Sequence, residues 1–202
     1  IRLLMPLLPA LAASSPVVER RLTGLQDNRM DVYRHNSRRV PSITADVVPE
    51  AVYTRADYER RILQKMYDDI APLDPDAVLQ HEWLNARGAI ARFDRNTIEL
   101  RVLDVQECPR ADLAICALIT EVLSALTSQR WTTTTEQQAF PTQPLAELLQ
   151  STTRDADQTV IDHRQFLAQF GLTSQRLTAA EIWQHLLQTL IDPQGPWWEP
   201  LS

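Results

Sequence analysis

Two alternating runs constrain this chain more than any other feature: Ala89-Ile90-Ala91-Arg92-Phe93 and Ile98-Glu99-Leu100-Arg101-Val102, separated by Asp94-Arg95-Asn96-Thr97. Strict alternation of apolar and polar residues is the mark of a half-buried strand, and so short a connection makes the pair an antiparallel β-hairpin. Asn tolerates positive φ, which places the reversal at Asn96. If Phe93 lies opposite Ile98, then Ala91 meets Leu100 and Ala89 meets Val102, and one face is continuously apolar. The other face sets Arg92 directly across from Glu99, with Arg101 on the same side roughly 6–7 Å further along at strand rise.

Helical patterns surround this ribbon. From Pro109 the run to Leu126 predicts a long, mostly buried amphipathic helix with Pro at its first position. Thr54 caps a helix that carries Tyr58, Ile62, Leu63, Met66 and Tyr67 at helical spacing, and Asp74-Pro75 resets the chain. A polar helix is expected from Asp27 or Asn28 to Arg39, stopped by Pro41, with residues 41–49 extended. Residues 131–144 read as a Thr/Gln/Pro-rich linker. Three helices follow, at about 144–161, 164–170 and 178–190, the last with a capping box of Thr178 and Glu181. Trp197 and Trp198 read as a docked aromatic tail. The expected fold is therefore α+β. Residues 1–130 form a body on a partial antiparallel sheet packed with helices, and residues 131–202 form a linker and helical tail packed on it.

The opening run, Arg2 followed by Leu-Leu-Met-Pro-Leu-Leu-Pro-Ala-Leu-Ala, imitates a secretory signal, but Pro6 and Pro9 interrupt it and its basic region is a single Arg. A buried helix entered partway along fits the run, and on that reading the chain is a fragment. The run is too short and broken to span a bilayer. A net charge of -6 over 202 residues speaks against nucleic-acid binding, which needs a basic face. Arg clusters at 20–21, 34–39 and 92–101 still suit bidentate recognition of carboxylate or phosphate. Cys108 and Cys116 have neither redox nor zinc spacing and read as small apolar residues of a reducing cytoplasm. His81-Glu82 lacks the second His of a zinc helix, and no P-loop, GxGxxG or GxSxG is present.

Two readings of the polar hairpin face stand side by side. One is an exposed cross-strand ion pair worth a few tenths of a kcal/mol. The other is a ligand wall in which a carboxylate meets Mg²⁺ while guanidinium groups grip phosphate and a substrate carboxylate, the combination that phosphoryl transfer requires.

The run from Glu82 to Asp94 (Glu-Trp-Leu-Asn-Ala-Arg-Gly-Ala-Ile-Ala-Arg-Phe-Asp), then Ile98-Glu-Leu-Arg-Val-Leu-Asp-Val-Gln-Glu-Cys-Pro109, resembles the later half of the bacterial glutamate-cysteine ligase family, which includes the YbdK-like carboxylate-amine ligases. Ser14-Ser15-Pro16, Thr23-Gly24-Leu25 and Asp27-Asn28-Arg29 are similar to the same family. The resemblance covers about residues 1–130 and is strongest over 82–112. It implies a glutamine synthetase-like catalytic sheet and a cytoplasmic enzyme of glutathione biosynthesis that uses ATP and Mg²⁺. Glutamate is activated as an acyl phosphate and an amine, cysteine in the family, then attacks.

By the resemblance Glu99 is a metal ligand, and Arg101 is catalytic and binds the γ-carboxylate or acyl phosphate. Arg92 faces the nucleotide phosphates, while Arg29 on substrate and Arg38 on cofactor are weaker anion contacts. Asp104 and Gln106 match the motif but fall on the other strand face unless the chain bends. The family's amino-terminal half, with its further carboxylates, is absent. Either the missing half or a partner subunit completes the enzyme, or the chain is a truncated and inactive product; a homo-oligomer is a separate expectation. The alternative is a non-catalytic domain that pairs through its sheet edge with another chain.

Overall fold

A computed structural model describes residues 1–201 of the chain. The opening run is a buried helix: a 3₁₀ turn at Met5–Leu7 continues into α1 (Leu8–Ala12), with Leu4, Met5, Leu7 and Leu8 fully shielded. Pro6 and Pro9 occupy early helical positions, where a missing N–H leaves nothing unpaired. Carbonyls of this segment are claimed from far along the chain: Thr152 Oγ1 donates to Pro6 O at 2.6 Å and Trp183 Nε1 to Leu7 O at 2.8 Å.

A short hairpin, β1 (Val17–Val18) and β2 (Arg21–Leu22), precedes α2 (Asn28–His35), which Asp27 caps by accepting from Met30 N at 2.7 Å. Helix α2 stops four residues short of the predicted Arg39. Only Met30 is buried along it, so no apolar stripe extends the helix further. Pro41 opens a 3₁₀ turn, Pro41–Ile43, where an extended segment was expected. Ala45 and Val47 then take positive φ, 50° and 67°, a costly choice for β-branched Val47 that its tertiary pairing compensates. Val47 is fully buried and its carbonyl accepts from Gly88 N at 2.8 Å. Gly88 in turn has no room for a side chain, since a Cβ there would meet Met5, Val102 and Val47 within 2.5–2.9 Å.

Thr54 caps α3 (Arg55–Tyr58) as expected, and the helix continues through a π turn (Glu59–Gln64) into α4 (Lys65–Ile70). Tyr58, Ile62, Leu63 and Met66 form a satellite core against Leu84, Ala91 and Phe93. The hairpin is present as β3 (Ala89–Arg92) and β4 (Thr97–Leu100), with Asn96 at φ 53°. Its register differs from the expected one by two residues: Ala89 faces Leu100, Ile90 faces Glu99, Ala91 faces Ile98 and Arg92 faces Thr97. The cause is Phe93, which leaves the strand to pack edge-on against Tyr58 at 5.4 Å and beneath the Arg55 guanidinium at 4.7 Å. A slip of two keeps every side chain on its predicted face. Neither face is purely one type, however: Ile90 is fully buried on the Glu99 side and Ile98 is 59% exposed on the other.

Helix α5 (Pro109–Thr127) begins at Pro109 as predicted, but it buries a single stripe through Ala114, Ile115, Leu118, Ile119 and Val122. Leu113 is exposed, and so are Cys108, just before the helix, and Cys116, within it. The supposed linker contains α6 (Thr134–Ala139), started by a capping box of Thr133 and Glu136. Then come α7 (Thr142–Asp155), β5 (Val160–Ile161), α8 (Arg164–Ala168), β6 (Leu177–Thr178), α9 (Ala179–Leu190) and α10 (Trp198–Leu201). Helix α7 stops at Asp155 because residues 160–161 pair with 177–178 instead of continuing the helix. The capping box of Thr178 and Glu181 is present.

The architecture is α+β, with small antiparallel sheets among helices. One buried cluster runs from Leu3 to Ile191, with α1 packed on α7 and α9. Trp197 and Trp198 pack against its edge. No helix among the described residues is long and apolar enough to cross a membrane.

Candidate functional site

The polar hairpin face brings Glu99, Arg92 and Arg101 together. Arg92 lies diagonal to Glu99 and donates from Nε at 2.8 Å to Oε2, and Arg101 donates from Nε at 2.6 Å to Oε1. Arg101 and then Arg92 hold the Glu99 carboxyl below its usual range, so it is ionised at neutral pH. The Glu99 side chain is 37% exposed, which leaves lone pairs on both oxygens reachable. A cavity of about 320 Å³ lies against the opposite hairpin face, lined by Ala89, Ala91, Ile98, Tyr53, Tyr58 and Glu50.

Arg101 lies just beyond β4, and the strand ladder still holds its N–H to Gly88 O at 2.9 Å. Its Nη1 donates to Asn85 O at 3.2 Å. Burial works against its charge, but Glu99 and the Tyr33 hydroxyl outweigh that and raise its pKa. The Tyr33 hydroxyl is buried beside this guanidinium without completing a hydrogen bond of ordinary geometry.

Arg29 is engaged from the protein side. Its Nε donates to Asp104 Oδ1 and its Nη1 to Arg101 O at 3.1 Å, while its buried Nη2 has no partner among the described residues. Asp104 is buried, as is Val102 two residues before it, so the alternation of faces continues past the end of β4. Its carboxylate also accepts from Ser14 N at 2.9 Å and Ser15 Oγ at 2.7 Å. Burial alone would raise its pKa, but Arg29 and the two serines hold it lowered. Asp27, fully buried, is raised chiefly by burial and further by Asp104. Gln106 donates to Ala12 O at 2.8 Å and Asp104 O at 3.0 Å, a structural use.

Arg38 is exposed in the turn after α2, and no hydrogen bond or ion pair joins it to this cluster among the described residues. Sequence reasoning missed Asn85 and Tyr33, whose positions carry no pattern. It also missed the Arg87–Glu50 pair, although an Arg two residues before a strand could have prompted a search for an acid.

As a test of metal chemistry, the described residues contain no group of three His, Cys, Asp or Glu able to enclose an ion. A single carboxylate between two guanidinium groups does not fit a resident metal site.

Fold and site together define an α+β protein with an acid held between two arginines on a sheet face. The sequence profile of glutamate-cysteine ligase family 2 (GCS2) matches residues 1–191, and the chain belongs to that family. It is 36% identical over 154 residues, 76% of this chain, to an uncharacterized protein of Archaeoglobus fulgidus, and spans 39% of that relative's length. No solved structure matches.

Proposed function

We propose that this chain supplies part of the active site of an ATP-dependent ligase that joins the γ-carboxylate of glutamate to an amine, with cysteine as the family's amine. The carrying observation is the placement of Glu99 between Arg92 and Arg101 on a half-exposed sheet face. In the reaction a γ-carboxylate oxygen attacks the terminal phosphorus of ATP, and ADP leaves. The amine nitrogen then attacks the acyl-phosphate carbon, loses a proton, and phosphate departs.

No enzyme nucleophile is needed, so the exposed cysteines have no part. Arg101 would bind the substrate carboxylate and meet the charge developing on the acyl phosphate. Arg92 would face the nucleotide phosphates, while Arg29, turned to Asp104 with its Nη2 buried, would be a weaker anion contact, and Arg38 would act only from the rim. Glu99 holds both guanidiniums in place until an anionic ligand takes them over. Magnesium would arrive as MgATP, and Glu99 is the residue of this face that would offer it an oxygen.

Further carboxylates of a glutamine synthetase-like sheet would come from polypeptide beyond these residues, on the same chain or a partner subunit. The greater length of the Archaeoglobus relative supports this. A test is trapping: with ATP, glutamate and hydroxylamine, the completed enzyme should yield γ-glutamyl hydroxamate, and none without ATP. Absence of the hydroxamate alongside intact ATP would remove the acyl-phosphate reading.

A second reading rests on a separate observation. Ladder bonds through Arg101 N and the outward bond from Ala91 N to Tyr58 Oη at 3.2 Å fix the hairpin's phase. In that phase Ile98 and Leu100 point their N–H and C=O groups away from β3. These groups have no partner among the described residues. Such an edge suits strand addition by another chain, the non-catalytic alternative.

A further inference from the structure

We propose that Asp104 is a positioning residue for Arg101, acting through Arg29; the task given to Arg101 rests on the ligase reading above, whereas the coupling rests on geometry. Arg101 sits one residue past the end of β4, where a single ladder bond is the last hold of strand pairing on the backbone. Its peptide is held at two points, the N–H by Gly88 O at 2.9 Å and the carbonyl by Arg29 Nη1 at 3.1 Å. The first is an ordinary ladder bond. The second depends on which way the Arg29 fork points.

That direction is set by Asp104. Its side chain is 4% exposed and receives Arg29 Nε on one oxygen and Ser14 N and Ser15 Oγ on the other. Ser15 Oγ also accepts from Arg29 N at 3.2 Å, so the loop at 14–15, the start of α2 and the segment after β4 close into one ring of bonds. Arg29 has a partially exposed side chain, and the buried Nη2 has no partner, so Asp104 is the only carboxylate paired with it among the described residues. With the carboxylate gone, the fork loses its charged partner and the Arg101 carbonyl loses its fixed donor. The guanidinium that Arg101 presents beside Glu99 then swings on a looser root.

The alternative is that Asp104 only staples the loop at 14–15, in which case Arg101 is indifferent to it. Two substitutions separate these. Asp104→Asn keeps the shape and an acceptor oxygen but removes the charge. Arg29→Lys keeps a cation for Asp104, but a single ammonium cannot reproduce the paired fork to Asp104 and to the Arg101 carbonyl.

The readout is hydrogen exchange of the Arg101 Nε–H in this chain, observed by nitrogen-15 NMR and assigned by its loss in Arg101→Lys. Both substitutions should accelerate exchange at least ~10-fold while far-ultraviolet circular dichroism is unchanged, the scale of losing one charge-assisted hydrogen bond. In the completed enzyme, the KM for glutamate should rise at least ~10-fold with kcat changed less, and Asp104→Asn should add nothing to Arg101→Ala, as expected for residues acting as a unit.

Unchanged Arg101 exchange in the folded variants overturns the proposal. If Asp104→Asn does not fold, Arg29→Lys decides alone. Accelerated exchange in an enzyme whose wild type shows no glutamate-dependent reaction would keep the coupling and discard the ligase reading.

Discussion

Arg87, 1% exposed, grips both oxygens of Glu50 at 2.6 Å, joining the residue before the Gly88–Val47 contact to the wall of the 320 Å³ cavity. Removing one partner of such a pair strands a buried charge, whereas replacing both with apolar groups is far milder. Glu50→Leu, which strands the Arg87 charge, should therefore cost about 3 kcal/mol in urea unfolding, and Arg87→Met with Glu50→Leu should recover most of it. Equal losses in the single and double variants would show that the guanidinium serves packing alone.

Gly88 sits where three side chains converge. A Cβ would stand 2.5 Å from Met5 Cε and 2.6 Å from Val102 Cγ1. Gly88→Ala should cost about 1–3 kcal/mol by overpacking, read as a lowered urea midpoint with an unchanged slope.

Acid titration should separate two kinds of carboxylate. Glu50, which Arg87 holds low against the opposing effect of burial, and Asp104 both have lowered values. Their contribution is present above the unfolded values of about 4.3 and 3.9 and is lost as pH falls through the folded ones. Asp27 is raised, chiefly by burial, so its contribution is full below about pH 3.9 and is lost as pH rises through its folded value. Asn caps a helix as well as Asp. The stability of Asp27→Asn relative to wild type should therefore improve from about pH 3 to pH 7, while that of Glu50→Gln should worsen over the same interval.

The capping box at the start of α9 fastens Thr178 to Glu181 N at 3.2 Å and Glu181 to Thr178 N at 2.7 Å. Thr178→Ala should lower stability by about 1 kcal/mol in thermal melts. A neutral result would mean that packing of Trp183 and Leu186 alone fixes the helix.

The hairpin, the Thr54 and Thr178 caps, the Pro109 helix start and the meeting of Glu99 with Arg92 and Arg101 were legible because each follows from local periodicity or capping chemistry. The strand register was not, since Phe93 answers to Tyr58 and Arg55, thirty-five or more positions earlier in the chain. Helix α6 was missed although Thr133 and Glu136 stand at capping-box spacing, because six residues rich in Thr and Gln show no apolar stripe. The positive φ of Val47 and the burial of Arg87 were invisible, as both exist only by virtue of partners remote in sequence. Asp104 was seen as a motif residue and its inward side follows the alternation, but its partners Ser14, Ser15 and Arg29 lie about 75–90 positions earlier and were invisible.

The central claim is that Glu99 and Arg101 work on an anionic substrate rather than merely pair with each other. It is tested most directly by ATP- and glutamate-dependent phosphate release in the completed enzyme, comparing wild type with Glu99→Gln and Arg101→Ala. Each variant should lose at least ~10²-fold, the scale of one positioned electrostatic group. Wild-type rates in both would contradict the account and leave the pair a surface ion pair.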